Sequence, residues 1–293
     1  MPVYENTYRP WEGERELRFA RILAFPKFAF AQLNQRKLVL VMFILGWLPF
    51  ILFTGYIYLC VNVALIKFIQ IPPSILKPVG SMFFLAFLLI QVTFMFFFTL
   101  SVGPGLIAID MRHRALPMIL SKPLDKWEYL LGKFLVLFVI LSILSWVQAF
   151  VLFIIQTGAV PAASEWRRNF WTDSILILPK SFLFSIVVIT TLNLLVLMFS
   201  SLTQNDKFAG VAVIMFIIGS AIVAGIAASS FHSGRWLVLS PWQSISSIIY
   251  KLFSLPNRNQ VPPLDAWIYI ICLWCICLFI LNKRVSAFQI FKE

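Results

Sequence analysis

Cys272, Cys275 and Cys277 form a C-x-x-C-x-C run, a spacing that could hold a metal through thiolates. Their neighbours are Ile, Leu, Trp and Phe, with no histidine or acid beside them. Apolar filling of a helix is therefore the better account, and no metal is expected. Cys60 lies near the end of another apolar run, so the cysteines make no disulfide framework. The only histidines are His113 and His232, and neither His-x-x-x-His nor Glu-x-x-His occurs. Gly132-Lys133 is the only Gly-Lys pair, but Phe134 follows it, and Trp127 stands where the first glycine of a phosphate loop would be. No catalytic or cofactor-binding residue is expected. If ATP and Mg take part, a separate subunit must bind them.

The remaining polar groups inside the apolar runs are neutral: Gln91, Thr93, Thr99, Ser142, Ser145, Gln148, Thr190, Thr191 and Asn193. Such groups line a cleft or bond between helices. The cleft candidates are Gln91, Thr93, Gln148, Thr190, Thr191 and Asn193. Small residues recur every four positions, as Ser220, Ala224 and Ala228 and as Ala221, Gly225 and Ser229. That spacing allows close helix contact, within the chain or between two copies.

The elements that position these groups follow from composition. Of 293 residues, 60% are hydrophobic, 12% are charged and 30 are phenylalanine. The mean hydropathy is +0.89. So few charges cannot cover a soluble surface, which excludes a soluble enzyme, a disordered chain and a DNA-binding module. An all-α membrane protein is expected, with spans over 38–66, 78–109, 134–155, 181–205, 208–234 and 266–282; the first five exceed the ~20 residues a bilayer needs and the last is at the lower limit for spanning. The sixth is the shortest. The spans hold no ionisable side chain at depth, so proton- or ion-coupled transport has little support. The first apolar run is too long for a secretory leader and is expected to remain as a span.

Six spans put both termini on one face. Segments 1–37, 109–133, the region around 207 and 283–293 carry 7, 5, 1 and 3 basic residues, 16 against 8 on the other face. This bias predicts cytoplasmic termini, and it gives the net charge of +12 a topological meaning, with no nucleic-acid partner. Residues 1–37 form a basic, aromatic interface segment with Arg15, Arg18 and Arg21, suited to headgroups or a partner. Residues 283–293 form a cytoplasmic tail. On the external side, Trp236–Tyr250 is an uncharged run too short to span, divided by Pro241, and reads as a re-entrant or interfacial helix before span six.

The stretch 110–133 between spans two and three reads as a compact cytoplasmic elbow. Ser121-Lys122-Pro123 interrupts it. Asp125 then stands as an N-cap, with Glu128 as its capping-box partner. Arg112, His113 and Arg114 lie beside Met118, Ile119 and Leu120, a mixture suited to docking a soluble protein.

At this elbow the chain resembles the permease subunits of type 2 ATP-binding cassette (ABC) exporters. The matching positions are Asp110, Leu120-Ser121-Lys122-Pro123-Leu124 and Glu128-Tyr129-Leu130-Leu131-Gly132-Lys133. The six-span plan and the basic ending Asn282-Lys283-Arg284-Val285 extend the likeness over nearly the whole chain, while Pro117 departs from the family's coupling helix. The resemblance implies a plasma-membrane permease half that pairs with a second half, as a homodimer or with a related chain. Two cytoplasmic ATPase subunits would bind ATP and Mg and dock on the elbow. It implies docking through Asp110, Arg112, His113, Arg114, Met118, Leu120, Glu128 and Lys133, bracing by Arg15, Arg18 and Arg21, and an arginine partner for Asp110. The lack of charge at depth suggests a hydrophobic or amphiphilic cargo. The rival readings are an ATP-independent carrier or channel, and a membrane scaffold that transports nothing.

Overall fold

The computed structural model describes residues 36–62, 79–113, 126–159, 175–255 and 261–287. Every regular element among them is helical. Six helical segments are long and apolar enough to cross a membrane: Lys37–Val61, Ser81–Arg112, Lys126–Ala159, Ile177–Leu202, Asp206–Ser230 and Pro263–Ser286. They are called spans one to six here. Hydrocarbon offers no partner to a backbone N–H or C=O, so an apolar run of this length closes its own bonds as a helix.

The helices extend past the charge-free windows where charged residues form their ends. The helix of span three begins at Lys126, where the expected Asp125 cap and its Glu128 partner put it, and the apolar run from 134 continues it. Span six is not marginal: its helix covers Pro263–Ala287, with Asp265 in the first turn and Arg284 in the last. Those signs favour the helix dipole, so the charges extend the helix and do not end it. Span one stops at Val61, short of the expected 66, and 63–66 lie outside the described residues.

Span four is the central post. Of its most apolar window, 72% is buried, against 11% for span five and 17% for span one. Spans one and two meet through aromatic rings, with Phe53 5.3 Å from Phe87 and Tyr56 stacked at 5.6 Å on Phe83. Part of the phenylalanine excess is thus helix-to-helix packing.

Three spans are interrupted. Span one comprises α1 (Lys37–Leu45) and α2 (Leu48–Val61), with a turn at Gly46-Trp47. Pro49 in the first turn of α2 has no N–H to give to the preceding turn. Span two comprises α3 (Ser81–Val102) and α4 (Gly105–Arg112), separated by Gly103-Pro104. Span three comprises α5 (Lys126–Ser142), a π-helical segment Ile143–Val147 and α6 (Gln148–Ala159). Span four is α7 (Ile177–Leu202) and span five is α8 (Asp206–Ser230).

Between spans five and six, a 3₁₀ segment Gly234–Leu239 leads to α9 (Pro241–Leu252), and span six is α10 (Pro263–Ala287). Proline at the first position of α9 explains the division at 241. At ~1.5 Å per residue, the 12 residues of α9 reach only ~18 Å, too short to cross. It packs against spans four, five and six. Its serines act as ties: Ser244 donates to the Val238 carbonyl at 2.7 Å, and Ser247 to the Val261 carbonyl at 2.8 Å. Tyr269 of span six donates to the Leu239 carbonyl at 2.8 Å, and Arg235 pairs with Asp265 at 3.0 Å.

Candidate functional site

Charged residues at the ends of spans two, three and five meet at one end of the bundle. Asp110, in α4, accepts from the Tyr129 hydroxyl at 2.7 Å and from Lys133 Nζ at 2.8 Å. Tyr129 and Lys133 are four residues apart on α5, so both reach the same carboxylate. The partner of Asp110 is therefore Lys133 and not the expected arginine. Arg112 instead pairs with Asp206 at the start of span five, at 3.5 Å. The four-residue spacing puts Tyr129 and Lys133 on one face of α5, but neither their shared carboxylate nor the Arg112–Asp206 pair has a local signal. Lys126 Nζ donates to Ser286 Oγ at 3.0 Å, which joins the start of span three to the end of span six.

Asp110 and Lys133 are mostly covered, at 19% and 16% exposure, whereas Arg112 stays 47% exposed. His113 is exposed and Glu128 is buried. Arg114, Met118 and Leu120, the Ser121–Leu124 turn and the Asp125 cap lie outside the described residues, as do Arg15, Arg18 and Arg21.

One turn inside this cluster, the break in span two is held by span four. Ser200 Oγ accepts from the Ile107 and Ala108 amides at 3.1 and 3.0 Å and donates to the Pro104 carbonyl at 2.7 Å. The first N–H groups of any helix lack partners within it, and here a hydroxyl from another helix supplies them. A Cβ at Gly103 would collide with Val196, so glycine lets spans two and four approach this closely.

Deeper in the bundle lies a neutral polar hub. The Gly46 carbonyl, at the break in span one, accepts from Gln91 Nε2 at 2.9 Å and Gln148 Nε2 at 3.3 Å. Gly46 also seats against the π segment, where a Cβ would meet Leu144 Cδ2 at 2.8 Å. The Oε1 atoms of both glutamines are buried, with no hydrogen-bond partner among the described residues. Beside the hub, Ser145 bonds Ser185 at 2.7 Å, and Ser185 donates to the Ser181 carbonyl at 2.8 Å. The breaks in spans one and three thus face each other, with amide side chains from spans two and three closing the gap.

The other polar candidates divide between packing and surface. Thr191 accepts from Trp274 Nε1 at 2.9 Å, and Asn193 Nδ2 donates to the Phe134 carbonyl at 2.8 Å. Both are buried ties of span four to its neighbours. Thr190 lines an apolar groove between spans three, four and six, and Thr93 is exposed on span two. Of the small-residue stripe in span five, Ala224 is buried, while no described residue comes within 4 Å of where a Cβ would stand on Gly225.

On span six Cys277 is buried, and Cys272 and Cys275 are exposed. Gly132-Lys133 lies within the helix α5 and not in a loop. No protein-family model matches the sequence, and no match emerges among curated proteins.

Proposed function

We propose that this chain is the permease half of an ABC exporter, driven by a separate cytoplasmic ATPase that docks at the elbow. The observation that carries the reading is the ionic cluster at the elbow's two flanks. Asp110 on one flank is bound by Tyr129 and Lys133 on the other, and Arg112 continues the cluster to span five. A push on such an elbow reaches spans two, three and five together. In this reading the elbow face and both termini are cytoplasmic, in the plasma membrane, and a second permease half completes the pathway. Exposed His113 and half-exposed Arg112, with Arg114, Met118 and Leu120, form the docking surface, braced by Arg15, Arg18 and Arg21. The cargo is hydrophobic or amphiphilic. Nucleotide hydrolysis, with ATP and Mg, belongs to the partner.

The test is co-expression with the candidate ATPase, then purification and cargo-stimulated ATP hydrolysis. Reversing charge at Arg114, with His113→Glu, should lose the co-purifying ATPase while the permease stays folded. Unchanged assembly and transport would refute the docking surface. An ATP-independent carrier is the second reading, and the facing breaks in spans one and three favour it, because carriers build sites at broken helices. Flux through vesicles holding this chain alone would select it.

A further inference from the structure

A groove of about 230 Å³ opens between spans three, four and six at the elbow end. Trp127, Phe134, Leu194, Leu278 and Leu281 line it, with Thr190 at its deep end. On span four the lining runs from Thr190 to Leu197, which is ~10 Å along the axis. The groove is apolar, narrow and parallel to the helices. Trp127, half-exposed, stands at its mouth, the placement an indole takes at a membrane interface.

The rim is cationic. Lys126 precedes Trp127, and its bond to Ser286 holds the end of span six against the start of span three. Lys283 and Arg284 follow Leu281 by two and three residues, and both are exposed. Arg284 is one turn from Leu281, so it lies beside the groove's end. The nearest carboxylate on span three, Glu128, is buried.

We infer that this groove is a binding site for one acyl chain of an anionic phospholipid, whose headgroup rests on Lys126 and Arg284. An apolar slot wholly among membrane-spanning helices takes a hydrocarbon chain. Two cations at its open end select a negative headgroup over a zwitterionic one. The volume suits a single chain and not a whole lipid. The inference is independent of the transport reading, because it concerns a resident lipid that fixes spans three, four and six at the elbow.

Native mass spectrometry of the purified full chain tests it, after exposure to equal amounts of phosphatidylglycerol and phosphatidylcholine. The wild type should retain phosphatidylglycerol preferentially. Arg284→Glu, which changes only an exposed side chain, should lower that preference about tenfold. Leu278→Trp, which fills the groove from its exposed side, should lower retention of both lipids. Equal retention of the two lipids by the wild type would overturn the site. So would phosphatidylglycerol binding that survives both variants.

Discussion

Ser200→Ala removes one buried oxygen that makes three hydrogen bonds across the break in span two. Ser200 is fully buried, so no water replaces the hydroxyl. Side-chain hydrogen bonds between membrane helices average ~0.6 kcal/mol and reach ~1.7. Three bonds through one atom therefore predict a loss of about 2–4 kcal/mol, or about 5–10 °C in Tm for a chain of this size. Thermal unfolding of the purified protein, followed by circular dichroism, reads this directly. A control separates the clamp from a general packing defect. Pro104→Ala restores an N–H and lets span two close its own ladder. It should therefore recover part of the stability in the Ser200→Ala background and recover none in the wild type. A Tm within ~1 °C of wild type for Ser200→Ala would refute the clamp. Strict additivity of the two substitutions would refute the claim that they act on one set of backbone groups.

The Gly46 carbonyl has two donors, so Gln91→Leu or Gln148→Leu alone should cost under ~1 kcal/mol, and the double variant should cost ~1–3 kcal/mol more than the singles combined, read by the same melts. Lys133→Met leaves the mostly covered Asp110 carboxylate with Tyr129 and no cation, and should cost ~1–3 kcal/mol, with most of the loss restored by adding Asp110→Asn. Ser254 has φ +56° at the end of α9, so Ser254→Gly should raise stability by ~0.5–1 kcal/mol.

Six helices were legible because a membrane span is a composition, and composition needs no partner. The two proline breaks were also foreshadowed locally: Pro49 and Pro104 stand inside apolar runs, and each coincides with an interruption. The π segment at Ile143–Val147 carries no such mark, since its residues are ordinary apolar types around one serine. Its cause is distant: Leu144 seats on Gly46, and Ser145 bonds Ser185. The same limit applies to the candidate site. Gln91, Gln148 and Asn193 stood out as polar groups in apolar runs, but which carbonyl each one satisfies depends on helix packing. Asp110 stood out as an acid at a helix end, and choosing Lys133 over an arginine needed the rotation of α5 relative to α4. Ser200, a serine in an apolar helix, gave no warning of its three bonds, because all of them join residues more than ninety positions away.

The short α4 is held at both ends by other helices, and the two ends do different work. Its first turn is capped by Ser200 of the central span. Its last turn is held by Lys133 and Tyr129 through Asp110, and by Asp206 through Arg112. At eight residues it is a rigid piece of ~12 Å, hinged at Gly103-Pro104. Under the proposed function, a push on the elbow either pivots α4 about Ser200 or tears one of these attachments. The buried attachment governs stability, as argued for Ser200. The Arg112–Asp206 pair is half-exposed on both sides, so its loss should cost under ~1 kcal/mol. Asp206→Asn therefore separates the two roles. Under the proposed function it should leave Tm and ATPase assembly unchanged and still lower cargo-stimulated ATP hydrolysis, because span five no longer follows α4. If Asp206→Asn leaves stimulated hydrolysis at the wild-type level, span five does not take its movement from the elbow through this pair.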